Sequence, residues 1–171
     1  MSQYCKGEYV NYAANGVCLV ADIGAPDFEP SAKDPYYILK PIGDRATTVF
    51  VPMGNELLLS RMRKLLTKEE IDSLLGAVKD GSVEWINDRK KRAELFEGII
   101  KRYGILDILR LVGCLYIKRE ELAGKIGNKR LTFSDQDVLE RAERLIEEEF
   151  SFVLGIPKAE VVEYIKRRID A

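Results

Sequence analysis

Trp85 is the only tryptophan in a chain of 171 residues, and it stands just ahead of four consecutive cations. The stretch runs Val83-Glu84-Trp85-Ile86-Asn87-Asp88-Arg89-Lys90-Lys91-Arg92. An aromatic ring beside Arg and Lys suits nucleic acid: the cations take phosphates, and the ring stacks on a base step or pries it open. A second arrangement fits the same spacing. On a helix running from residue 85, Trp85, Arg89, Arg92 and Phe96 fall within about 60° of one another at 100° per residue. That stripe would continue the apolar face of Leu95, Phe96 and Ile99, burying the ring and leaving the basic run solvated. A helix cap at Asn87 or Asp88 would instead leave Trp85 outside the helix and free to project. Local pattern leaves both open.

A second candidate surface lies on two short strands. Strand side chains alternate between faces. On Thr47–Pro52, Thr47, Val49 and Val51 form the better core face, which turns Phe50 and Pro52 outward. On Tyr36–Pro41, Lys40 marks the outward side, and Ile38 shares it. Pro52 cannot donate to a strand ladder and belongs at an edge or a strand end. An apolar outer face of Ile38, Phe50 and Pro52 beside an edge strand suits protein binding, by strand addition for example. Packing of that face on the rest of the chain is the equal alternative.

Catalytic patterns are sparse. The chain has no histidine, which removes the common nucleophile triads, the usual proton shuttle and the commonest metal ligand. Cys5, Cys18 and Cys114 are odd in number and far apart, so neither a disulfide framework nor a Cys-rich zinc site is expected. Gly124-Lys125-Ile126-Gly127 has the form of a nucleic-acid clamp but falls between two predicted helices, where a flexible loop is expected. Neither GxxxxGK[ST] nor GxGxxG occurs. The run Glu147-Glu148-Glu149 is expected to be a solvated helix face. No enzyme activity, cofactor or metal is predicted.

These residues must be held by two different kinds of structure. Residues 1–60 carry four basic and seven acidic side chains, while the remainder is mildly basic. The first part has short β-branched and aromatic runs separated by turn residues: Glu8–Ala13, Gly16–Ile23, Tyr36–Pro41, Thr47–Met53 and a possible Ser60–Lys64. Asn15-Gly16 signals a hairpin turn. A loop rich in Pro, Asp and Ser covers 24–35. The second part has helical periodicity. Thr67-Lys68-Glu69-Glu70 has capping-box form. Further helices are predicted from Asn87 or Asp88 to Tyr103, over 105–122, over 135–154 with Ser134 as cap, and from Pro157 with Val161, Ile165 and Ile169 as the buried stripe. The expected fold class is α+β: a small antiparallel β barrel (residues 1–64) followed by a five-helix bundle (65–171). The opening residues hold no apolar signal core, and no stretch approaches the ~20 apolar residues that span a bilayer. Three free thiols fit a reducing cytoplasm, where the protein is expected.

Several stretches resemble one family in order and spacing. Lys6-Gly7-Glu8-Tyr9-Val10-Asn11-Tyr12 with Asn15-Gly16-Val17, Tyr36-Tyr37-Ile38-Leu39-Lys40-Pro41, Thr48-Val49-Phe50-Val51-Pro52 and Leu65-Leu66-Thr67-Lys68-Glu69-Glu70-Ile71 resemble the strands and domain junction of CarD/CdnL-type bacterial transcription factors. Trp85 with its basic run resembles their DNA-contact segment. The resemblance covers nearly the whole chain. It implies a Tudor-like β domain that binds the RNA polymerase β subunit, with Ile38, Phe50 and Pro52 on the binding face. It also implies a helical domain that contacts promoter DNA at the upstream edge of the melted bubble and stabilises the open complex. Trp85 would be the minor-groove wedge, and Arg89, Lys90 and Arg92 would hold the backbone. Some members carry arginine where this chain has Phe50, so the polymerase contact here is expected to be apolar rather than ionic. Asp88 beside the basic run is expected to weaken phosphate contact. A monomer is expected, bound once per polymerase. The alternatives are a protein–protein adaptor without a DNA role and a free-standing duplex-binding protein.

Overall fold

A computed structural model describes residues 3–170. It is a mixed α+β structure with a five-stranded antiparallel sheet and six α-helices. The chain divides between Leu66 and Thr67 into two compact units.

The first unit holds β1 (Tyr9–Tyr12), β2 (Val17–Gly24), β3 (Tyr36–Pro41), β4 (Val49–Pro52), the single-turn helix α1 (Glu56–Leu59) and β5 (Met62–Lys64). The strand order is β4-β3-β2-β1-β5. Alternation places Val10, Val20, Tyr37, Leu39 and Val51 in a common core at 1% exposure or less. The Tyr37 hydroxyl is satisfied inside that core, accepting from the backbone N–H groups of Gln3 at 2.9 Å and Tyr4 at 3.2 Å.

The sheet is open and not the closed barrel expected from the strand count. Its edge strands β4 and β5 each pair with one neighbour, over four and three residues. Pro52 ends β4 without an N–H to extend the ladder. The chain then runs through α1, whose Leu58 and Leu59 pack on the sheet core. The β1–β2 hairpin also differs from the tight turn that Asn-Gly favours. Residues Ala13–Asn15 form a 3-10 turn, and Gly16 follows at φ +69°, a conformation that suits glycine.

The second unit contains α2 (Lys68–Ala77), α3 (Arg89–Arg102), α4 (Ile105–Ala123), α5 (Phe133–Leu154) and α6 (Lys158–Asp170). The Thr67 capping box forms: Thr67 Oγ1 accepts from Glu70 N at 3.1 Å, and Glu70 Oε2 accepts from Thr67 N at 2.8 Å. Phe96, Ile108, Leu111, Leu115, Leu139 and Phe150 are fully buried between the helices. On α6 Val161 is buried, while Ile165 and Ile169 are only partly covered.

Two local expectations fail here. Thr132, and not Ser134, caps α5, accepting from Asp135 N at 3.1 Å. Thr132 is the last extended residue before the helix starts at Phe133, so its hydroxyl meets the free N–H groups of the first turn, while Ser134 already lies within the helix. The acidic run is not a solvated face, because Glu149 is 1% exposed and Glu147 and Glu148 are partly covered. Three successive helix positions span about 200° at 100° per residue, so all three cannot face water once α5 is packed on both sides.

Candidate nucleic-acid and protein-binding surfaces

Asp88 stands before α3 in an extended conformation and caps it, its Oδ1 accepting from Lys91 N at 3.0 Å. The helix therefore starts at Arg89, and Trp85 lies outside it. The carboxylate expected to weaken phosphate contact is also the N-cap, so its negative charge stays at the start of the helix. Arg89, Lys90 and Lys91 then fill the first turn, with no acidic residue there, and all three are exposed. Cations at the positive end of a helix dipole are locally unfavourable. Here they add to that positive end, the arrangement that attracts an anion.

Trp85 is neither fully buried nor projecting. Its ring is half-covered, tilted against Phe96 at 6.2 Å between centroids. The Arg92 guanidinium carbon lies 4.2 Å from the ring centre, and Lys118 Nζ lies 5.0 Å from it.

Arg92 departs from its expected role. It is 4% exposed. Its Nε donates to Asp135 Oδ1 at 3.0 Å and its Nη2 to Asp135 Oδ2 at 2.8 Å. Its Nη1 donates to the carbonyls of Ile86 at 2.8 Å and Asn87 at 3.4 Å. A buried guanidinium with these partners cannot also hold a phosphate, so Arg92 is removed from the candidate DNA contacts. It fell among them because a basic run read as a string does not show which member faces inward; on a helix Arg92 lies one turn beyond Arg89 and on the Phe96 side.

Sequence reasoning also missed three cations. Trp85, Arg89, Arg92, Lys118, Lys129 and Arg130 line one open cup of about 380 Å3. Lys118 comes from α4, and Lys129 and Arg130 come from the α4–α5 connection, where both are exposed. The Gly124–Gly127 stretch begins that connection, with Ile126 fully exposed. The only sequence signal was Lys129-Arg130 as a pair, and nothing local tied it to Trp85. On its other side Trp85 borders a groove of about 430 Å3 that also touches Cys114. Burial pushes the Cys114 thiol up from its ordinary value, and the nearby Asp135 charge adds to this, both disfavouring the thiolate.

The strand surface forms as alternation requires. Ile38 is paired across the β3–β4 ladder with Phe50, and Tyr36 with Pro52. Phe50 is 36% exposed while its neighbour Val51 is fully buried. β4 is an edge strand. Phe28, which the sequence pattern did not single out, lies 64% exposed. It meets Phe50 edge to face at 4.9 Å and Tyr36 at 5.9 Å. The Tyr36 hydroxyl donates to Glu29 Oε2 at 2.7 Å, which ties the 24–35 loop to β3. That hydrogen bond, with burial, raises the Tyr36 pKa.

Among the described residues no cluster of three potential metal ligands occurs, and no helix is long and apolar enough to cross a membrane. No known protein family matches this chain, and no curated protein matches its sequence.

Proposed function

We propose that this protein is a CarD/CdnL-type transcription regulator that does no covalent chemistry. Its β unit, Tudor-like in this reading, binds the RNA polymerase β subunit through Ile38, Phe50 and Pro52. Its helical unit contacts promoter DNA at the upstream edge of the bubble through Trp85. The observation that carries the proposal is the cup that Trp85, outside α3, lines together with Arg89, Lys118, Lys129 and Arg130, the Asp135 carboxylate in its wall being taken up by Arg92. Lys90 on the exposed first turn of α3 belongs with them.

Physical chemistry links the two surfaces. The chain has a net charge of −1, so DNA affinity from its overall field is weak. Tethering to polymerase raises the effective concentration of the helical unit beside already opened DNA, so a weak contact suffices. The protein stabilises the open complex only by the difference between its affinities for the open and closed states. The exposed edge strand β4 with its aromatic neighbours supports protein docking, by strand pairing plus side-chain contacts.

The test pairs two measurements. Phe50→Asp should abolish co-migration with core RNA polymerase on a sizing column, because a carboxylate would be buried in an apolar contact. Trp85→Ala should leave co-migration intact and shorten open-complex lifetime. No co-migration of the unsubstituted protein at low salt would sink the polymerase reading. Equal lifetimes with and without the indole would sink the wedge. The half-burial of Trp85 against Phe96 favours the adaptor alternative, and it is selected if co-migration survives while Trp85 proves dispensable.

A further inference from the structure

We infer that Asp135 is a positioning residue for Trp85, acting through Arg92. The inference rests on the DNA-facing reading of Trp85 for its consequence, but its geometry stands by itself.

The chain of contacts begins at the start of α5. Thr132 caps that helix and brings Asp135 into its first turn, where the helix dipole favours a carboxylate. Thr132 Oγ1 also donates to Asp135 Oδ2 at 2.7 Å. The carboxylate is thus aimed before Arg92 meets it. Both of its oxygens receive Arg92, and the pair is about 5% exposed on each side chain. The free edge of the same guanidinium reaches the carbonyls of Ile86 and Asn87, the two residues that follow Trp85. Its carbon stands 4.2 Å from the indole centre. One planar cation therefore ties α5 and α3 to the segment carrying the ring, and lies against the ring as well.

Arginine is required for all of this at once. Lysine has no fork to donate two parallel hydrogen bonds to the carboxylate and no plane to lay on an indole. A ring ordered before it meets DNA loses less side-chain freedom on contact. An immobilised side chain of this size is worth about 2- to 10-fold in binding.

The alternative is that the ion pair merely holds two helices together. Buried ion pairs can often be exchanged for apolar residues without loss of stability. That permits a clean experiment on the full-length protein. Arg92→Met combined with Asp135→Leu removes the relay while keeping the site filled. Arg92→Lys keeps the charge and removes the fork and plane. Trp85 is the sole tryptophan, so intrinsic fluorescence reports on it alone. The expected result in either folded variant is a red-shifted emission, lower anisotropy and greater acrylamide quenching. Polymerase binding should be unchanged, and open-complex lifetime should fall by about 2- to 10-fold. Emission, anisotropy and quenching identical to the unsubstituted protein would overturn the inference, leaving Arg92–Asp135 a structural pair. If Trp85→Ala proves not to affect lifetime, the DNA reading falls, while the emission change still decides whether Asp135 positions the ring.

Discussion

Phe28 and Phe50 meet edge to face at 4.9 Å although they come from a loop and an edge strand, and Phe28 remains 64% exposed. Two large rings holding each other at a surface enlarge the apolar area offered to a partner. Phe28→Ala should weaken binding of core polymerase by about 1–2 kcal/mol, a significant interface contact just short of a hot spot. Thermal unfolding of the protein should hardly move, since Phe28 is not in the sheet core. A binding isotherm equal to that of the unsubstituted protein would confine the interface to β3 and β4.

Arg92 and Arg89 sit one turn apart and should behave oppositely. Arg92→Ala leaves Asp135 as a buried carboxylate without its partner, which costs about 3–5 kcal/mol. Arg89→Ala should leave the melting temperature near its starting value and reduce crosslinking to promoter DNA in the polymerase complex. Thermal denaturation of both variants, with crosslinking of the second, checks the pair. Equal melting temperatures would contradict the burial of Arg92.

Lys129 and Arg130 line the same cup as Arg89. If each neutralises a phosphate, replacing both by alanine should lower the slope of log affinity against log salt by about 1.8 for duplex DNA. Titration of the polymerase–promoter complex at several salt concentrations, with and without the double substitution, measures this. An unchanged slope would remove both from the DNA contact.

Glu97 on α3 receives a forked contact from Arg141 on α5. The Arg141 hydrogen bond, aided by its charge, holds the Glu97 carboxyl below the ordinary carboxylate value, although partial burial opposes this. A depressed value stabilises the folded state at pH above the usual glutamate range. The contribution is lost as pH falls through the lowered value. Both side chains are more than one-third exposed, so screening keeps the pair to about 0.2–1 kcal/mol. Glu97→Gln should reduce stability by that amount at neutral pH and flatten the acid limb of the stability curve. Urea denaturation at pH 7 and below pH 4 tests both halves.

How much of this was legible beforehand depends on the range of each interaction. Strand alternation and helix periodicity are local, so the change from strands to helices after about residue 60, the inward Tyr37, Leu39 and Val51, and the outward Ile38 and Phe50 follow from spacing alone. The Thr67 capping box was equally legible, because its two partners are three residues apart. Phe28 was not, because a ring in a loop meets Phe50 only once the 24–35 segment folds back and Tyr36 bonds Glu29. Whether the strands close into a barrel was also beyond the sequence, since closure depends on how β4 and β5 lie across the three strands between them.

The Trp85 segment shows the same division within one site. Sequence determined that an aromatic ring stands ahead of four consecutive cations, and left open whether that ring lies on the helix or outside its cap. It could not determine which cation serves the ring and which serves a ligand. That was decided by Asp135, 43 residues beyond Arg92, which draws one guanidinium out of the basic run and into the interior. It was decided as well by Lys129 and Arg130, carried to the cup by the turn after α4. Ionic contacts carry no periodic signature along the chain, so only the packing of α3 against α4 and α5 assigns them.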